Sequence, residues 1–186
     1  MSATWTRRRW IQTVSAAGVG LALSRFSAAQ EAEAAPEVRH LELFNTHTSE
    51  TVSLAYKRGP QFDPLALGSL KKLLRDHRND ELHEIDVRLY DQLFDLARAA
   101  KCDPRFEIIS GYRSPESNNA MSAHAGSGVA KKSLHMQGRA VDIRLKHCSC
   151  ADLRDLALAA KQGGVGYYQR SDFVHVDTGA FRTWVG

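Results

Sequence analysis

Three residues in this chain have the type and setting to hold a metal ion: His135, Asp142 and His175. Zinc takes imidazole and carboxylate ligands in a tetrahedral arrangement, and a catalytic zinc leaves one position open for water. Ser133 to Asp142 carries a His and, seven residues later, an Asp; Gly138 lets the chain turn between them and Ala140 leaves room. Asp142 stands between Val141 and Ile143, which strand alternation sends to the opposite face. An acid so placed needs a partner, and a metal is one. His175 lies in Phe-Val-His-Val-Asp, sharing a face with Asp177 while Val174 and Val176 share the other. Asp177 is therefore positioned either to accept an imidazole N–H or to approach the metal itself. Spacing and alternation allow the three ligands to converge. Taken singly, such residues are more often hydrogen-bonded structural residues than ligands.

The elements that would carry these residues are readable around them. Leu41, Leu43, Val52, Leu54 and Tyr56 alternate on either side of His47-Thr48-Ser49-Glu50, which predicts a β-hairpin. Asp63-Pro64 opens a helix with Leu67, Leu70, Leu73 and Leu74 on one stripe. Asp86 opens a second, carrying Leu89, Leu93, Phe94, Leu96 and Ala97. Strands follow at 106–110, 140–145, 164–168 and 173–177, with helix starts at Ser114 and a helix over 151–161. The stretch from Asn118 to Lys132 reads as a partly helical loop. Helices first and a mostly antiparallel sheet after them give an α+β fold.

Cys102, Cys148 and Cys150 predict one disulfide and one odd thiol in an oxidising compartment. Cys148 and Cys150 are only two apart, so the bridge is expected from Cys102 to one of them. A soft-metal site at His147-Cys148-Ser149-Cys150 lacks a second ligand pair, and a redox site lacks Cys-x-x-Cys. His40, His47, His77, His83, His124 and His147 have no matching partner and read as structural or exposed. Tyr112, Tyr167, Tyr168 and Trp184 are candidates to wall a cleft, or simply core.

The formal charge of +4 would suit a polyanion partner, but its location argues otherwise. Arg7, Arg8, Arg9 and Arg25 are the only charged side chains in the first 29 residues, and without them the chain is near neutral. No nucleic-acid surface is read from it. Thr6-Arg7-Arg8-Arg9-Trp10-Ile11, a weakly apolar run from Val14 to Leu23, and Ser27-Ala28-Ala29 resemble a twin-arginine export signal. The run is too short for a span, which needs roughly 20 apolar residues. The expected division is a signal over 1–29, a linker over 30–37 and one folded domain over 38–186.

Ser133 to Asp142 has the form Ser-x-His-x-x-Gly-x-Ala-x-Asp, and Asp172-x-x-His175 follows the strand ending in Gly166-Tyr167-Tyr168. This resembles the zinc peptidases of the D-Ala-D-Ala carboxypeptidase and hedgehog type, the lysostaphin-related superfamily. More narrowly, Leu41 to Trp184 is similar to the YcbK-like murein endopeptidases, including Ser110-Gly111-Tyr112-Arg113-Ser114 and Gly163-Gly164-Val165-Gly166-Tyr167-Tyr168. The resemblance implies one zinc on His135, Asp142 and His175, a hedgehog-like fold, peptidoglycan peptides as substrate, and the periplasm or cell envelope as location. It implies Asp172 as general base, where the residues alone suggest a turn Asp. It implies that Arg113 faces substrate, to bind a carboxylate or a developing oxyanion, where a surface ion pair is the plain alternative. Ser133 is expected to orient a ligand or substrate. The rival readings are a D-Ala carboxypeptidase on the same substrate class and a non-catalytic, zinc-stabilised wall-binding domain.

Overall fold

The computed structural model describes residues 35–123 and 130–186. The predicted leader, most of the linker and His124 lie outside the described residues. The last linker residues are tied to the domain, because Gly59 N donates to Glu37 O at 2.8 Å.

The predicted hairpin forms from β1 (Val38–Asn45) and β2 (Thr51–Arg58), paired antiparallel. A two-residue strand β3 (Gln61–Phe62) lies beside β2. Asp63 then caps α1 (Pro64–Leu73), accepting from Leu65 N and Ala66 N. Asp86 caps α2 (Val87–Ala100), whose Leu89, Leu93, Leu96 and Ala97 are fully buried while Phe94 packs only at the margin. Next come β4 (Arg105–Ser110), α3 (Pro115–Ser122) with Ser114 as cap, a 3-10 turn at Leu134–Gln137, and β5 (Ala140–Leu145). The chain closes with α4 (Cys150–Ala160), β6 (Gly164–Tyr168), β7 (Phe173–Asp177) and β8 (Arg182–Val185).

The strands make one eight-stranded sheet in the order β3-β2-β1-β4-β5-β7-β6-β8. All pairs are antiparallel except β1 with β4 and β6 with β8, so the expected α+β class and mostly antiparallel sheet are what form. Alternation gives the sheet two unlike faces. One carries Leu41, Leu43, Phe106, Ile108, Val141, Ile143, Val174 and Val176 into a core with Leu93 and Leu96 of α2 and Leu153 of α4. Burying each such side chain contributes about 1.5–3 kcal/mol. The other face presents Asp142, His175 and Asp177.

β4 departs from simple alternation. Ile108 pairs with Ile143 and Ser110 with Asp142, leaving Ile109 as an extra residue between them. This bulge turns Ser110 from the core face to the polar one, the usual way such an irregularity re-aims a side chain.

The predicted disulfide is not formed. All three cysteines are free thiols, with Cys102 Sγ facing Ala100 O at 3.4 Å and Cys148 Sγ facing Ser149 O at 3.6 Å. Cys150 is turned into the core at the start of α4, where burial pushes its thiol up to about 12 and the Asp172 carboxylate adds to this. A thiol raised in this way is less reactive, because the thiolate is the nucleophile.

Candidate metal centre

His135 sits in the 3-10 turn. Ser133 Oγ accepts from His135 N at 3.3 Å, so Ser133 acts as the cap of that turn. Gly138 ends it with φ of 62°, and a Cβ there would lie 2.0 Å from Glu84 O. Both backbone conformation and space therefore demand glycine. Asp142 and His175 face one another across the β5–β7 ladder.

His135 Nδ1 lies 2.7 Å from Gly111 O, and a carbonyl can only accept, so the proton is on Nδ1 and Nε2 is left as a ligand atom. His175 is held in the opposite sense. Its Nε2 donates to Asp177 Oδ2 at 3.1 Å, so Nδ1 faces inward. The inward atoms form a triangle: His135 Nε2 to His175 Nδ1 3.1 Å, His175 Nδ1 to Asp142 Oδ1 2.8 Å, His135 Nε2 to Asp142 Oδ1 3.3 Å. Zinc bonds of about 2.0–2.1 Å imply tetrahedral edges of roughly 3.3–3.4 Å, so this is one face of such a site, slightly contracted. All three side chains are buried. Among the described residues they are the one cluster of His, Cys, Asp and Glu placed to share an ion, and His147, Cys148 and Cys150 form none. The donor set fits zinc.

Burial opposes ionisation of Asp142, but the two imidazoles outweigh it and hold the carboxyl well below the ordinary range. Burial likewise works against a charged His175, and the Asp142 and Asp177 carboxylates overcome it, raising the imidazole.

The cluster opens on a cleft of about 550 Å³, lined among others by Ser110, Arg113, Lys132, Tyr168 and Trp184. Arg113 is 6% exposed, its Nη2 3.2 Å from Ser110 Oγ and 3.9 Å from Asp142 Oδ2, its Nη1 3.5 Å from Asn118 Oδ1. It is no surface ion pair. Burial lowers its pKa, which the Asp142 carboxylate partly offsets, and its Nε has no hydrogen-bond partner among the described residues. Of the aromatic candidates, Tyr168 and Trp184 wall the cleft, while Tyr112 is buried with its hydroxyl on Glu81 and Tyr167 packs under Arg154.

The structure brings His135, Asp142, His175, Arg113, Ser133 and Asp177 together and leaves Asp172 out. Asp172 has φ of 53° in the β6–β7 turn, and its carboxylate lies 3.5 Å from Arg144 Nε and engages the Cys150 thiol. Its side chain is exposed at the end of the sheet, outside strand β7. It does not line the cleft. Two residues that matter were not singled out in the sequence. Ser110 is brought in by a bulge that has no sequence signature. Arg182 lies on a short edge strand and binds both oxygens of Asp177, at 3.1 and 2.7 Å. Its signal was indirect: two glycines inside strand β6, which often mark a close approach by another group.

Comparison with known proteins fits this arrangement. The family model described as peptidoglycan L,D-endopeptidase MepK matches residues 33–184. The protein of that name from Escherichia coli (strain K12) is 40% identical over 149 residues, covering 80% of this chain and 81% of that protein. A probable peptidoglycan L,D-endopeptidase MepK from Haemophilus influenzae is 34% identical over 182 residues, covering 97% and 96%. No solved structure gives a significant match. With most of its length inside the family match and two such relatives, the chain belongs to the MepK family, the YcbK-like murein endopeptidases of the D-Ala-D-Ala carboxypeptidase-type superfamily.

Proposed function

We propose that this chain is a zinc-dependent endopeptidase that cuts peptide cross-links or stem peptides of bacterial peptidoglycan. The observation that carries the reading is the triangle of His135 Nε2, Asp142 Oδ1 and His175 Nδ1, edges 2.8–3.3 Å, opening on the cleft. The relatives' names supply the substrate class. Zinc held there would polarise a scissile carbonyl and lower the pKa of a water to about 7. The chain's own residues do the rest. Gly111 O and Asp177 fix the two imidazole tautomers, so both rings present a lone pair inward. Ser110 and Asn118 orient the Arg113 guanidinium beside Asp142, where its planar fork can hold a carboxylate or a carbonyl oxygen gaining charge. Tyr168 and Trp184, joined by a 3.0 Å hydrogen bond, form a wall against which a peptide can lie. The leader, as read from its residues, would export the folded domain by the twin-arginine route to the periplasm or envelope.

The test is to incubate zinc-reconstituted protein with purified sacculi and identify the products by mass spectrometry. Chelator-sensitive loss of cross-links or cutting within stems is expected. Release of terminal D-Ala alone would make the chain a carboxypeptidase. Binding to sacculi with no product would make it a wall-binding domain.

A further inference from the structure

β8 delivers two side chains to the metal centre from the edge of the sheet. Arg182 and Trp184 stand opposite Gly164 and Gly166 of β6, and β6 lies between β8 and β7. A side chain from β8 must cross β6 to touch β7, and the two glycines leave the space. A Cβ at Gly164 would lie 2.4 Å from Asp177 Oδ2 and 2.5 Å from Arg182 Nη1; one at Gly166 would lie 2.5 Å from the Trp184 ring. Through this opening Arg182 reaches both oxygens of Asp177, and the Trp184 ring comes to 5.1 Å from the His175 ring.

Asp177 is fully buried, and each of its oxygens is committed. Oδ1 accepts from Gly164 N at 2.9 Å and Gly179 N at 2.8 Å, while Oδ2 accepts from His175 Nε2 at 3.1 Å. A buried carboxylate is costly unless a positive charge accompanies it. Arg182 supplies that charge, and its fork sets the plane of the carboxylate as well. The plane decides where the lone pair of Oδ2 points, and so the angle and tautomer of the His175 ring.

We propose that Arg182 is a positioning residue for His175, acting through Asp177, and that Gly164 and Gly166 are the opening that admits it. This rests on the zinc reading of the site. A lysine would keep the charge but hold one oxygen and leave the plane free.

The experiment measures zinc affinity of the full chain by competition with a chromophoric chelator, alongside the absorption spectrum of the cobalt form and the melting temperature of the metal-free protein. Arg182→Gln is expected to weaken zinc binding about 10–100-fold, as Asp177→Asn does, with a shifted cobalt spectrum. Arg182→Lys is expected to fall between Arg182→Gln and the wild type. Gly164→Ala is expected to reproduce the loss with Arg182 present. Affinity within twofold of wild type and an unchanged cobalt spectrum in Arg182→Gln, while Asp177→Asn loses zinc, would overturn the proposal. Should Arg182→Gln not fold, wild-type affinity in Arg182→Lys would overturn it equally. A wild-type chain that binds no zinc would instead overturn the metal reading on which this one stands.

Discussion

At the scale of single residues, the site depends on how each side chain is held as much as on what it is. Arg113 is buried, contacts Ser110 and Asn118, and approaches Asp142, so its fork cannot turn freely. Arg113→Lys keeps the charge and loses the planar pair of donors. It is expected to lower kcat on sacculi or a cross-linked peptide by roughly 10²-fold, with zinc content unchanged. Asp172 has the opposite status. Its carboxylate meets Arg144 and the Cys150 thiol, and Arg144 also binds the Asp172 and Ser171 carbonyls, so the residue secures the β6–β7 turn. Asp172→Ala is expected to keep zinc and to keep turnover within a few fold of wild type. A fall of about 10²–10⁴-fold would assign it the base role that family resemblance implied. The resemblance placed an Asp three residues before a ligand. Only the left-handed turn decides which face that Asp takes.

At the scale of elements, two local devices shape the surroundings of the cluster. The 3-10 turn that carries His135 starts on the Ser133 hydroxyl and stops at Gly138, which packs on the Glu84 carbonyl. Gly138→Ala forces a left-handed backbone onto an L side chain, about 1–2 kcal/mol, and adds a clash with Glu84 O. A lowered melting temperature and weakened zinc binding are expected together, measured by calorimetry and by chelator competition. The second device is Asp76, which lies under the start of α3 and accepts from Ser114 N at 2.8 Å and Arg78 N at 3.1 Å. Burial opposes its ionisation, but hydrogen bonds from Ser117, Ser114 and Arg78 prevail and set its pKa at about 2. A depressed carboxyl adds stability that is complete above its unfolded value near 4 and lost as pH falls through about 2. Asp76→Asn should therefore flatten the fall in melting temperature between pH 4 and pH 2. An unaltered acid limb would contradict the placement. Glycine and caps at these points were legible as punctuation, since Gly138, Asp63-Pro64, Asp86 and Ser114-Pro115 all stand where helices and turns begin or end. The bulge at Ile109 was not, because one extra residue in a strand leaves the composition unchanged.

At the scale of the whole molecule, the core and the site occupy opposite faces of one sheet. The apolar face packs on α2 and α4 and owes nothing to a metal, so the fold is expected to survive its removal. Zinc binding only the folded state at a thousand times its Kd adds about 4 kcal/mol. For a chain of this size that corresponds to about 10 °C in melting temperature. Differential scanning with and without chelator should show that shift, reversed by added zinc, with secondary structure retained by circular dichroism. Unfolding at room temperature on chelation would show that the metal supports the fold itself.

Local periodicity was enough to identify the hairpin, α1, α2 and the strands bearing Asp142 and His175, because side-chain alternation is a short-range property read two to four residues at a time. The same alternation put Asp142, His175 and Asp177 on polar faces opposite Val141, Ile143, Val174 and Val176, and the structure keeps those assignments. Convergence was another matter. It depends on β5 lying beside β7 and on the turn of His135 packing against the end of β4, and these are relations between distant segments. The sequence by itself determined which residues had ligand chemistry and which strand face Asp142, His175 and Asp177 would take. The tertiary structure alone decided that His135 joins through Nε2 and His175 through Nδ1, that Arg182 closes on Asp177, and that Asp172 stays outside. The Gly111 carbonyl that fixes the His135 tautomer and the Arg182 fork that holds the Asp177 carboxylate come from other segments, and the alternation that put Asp177 beside His175 records neither.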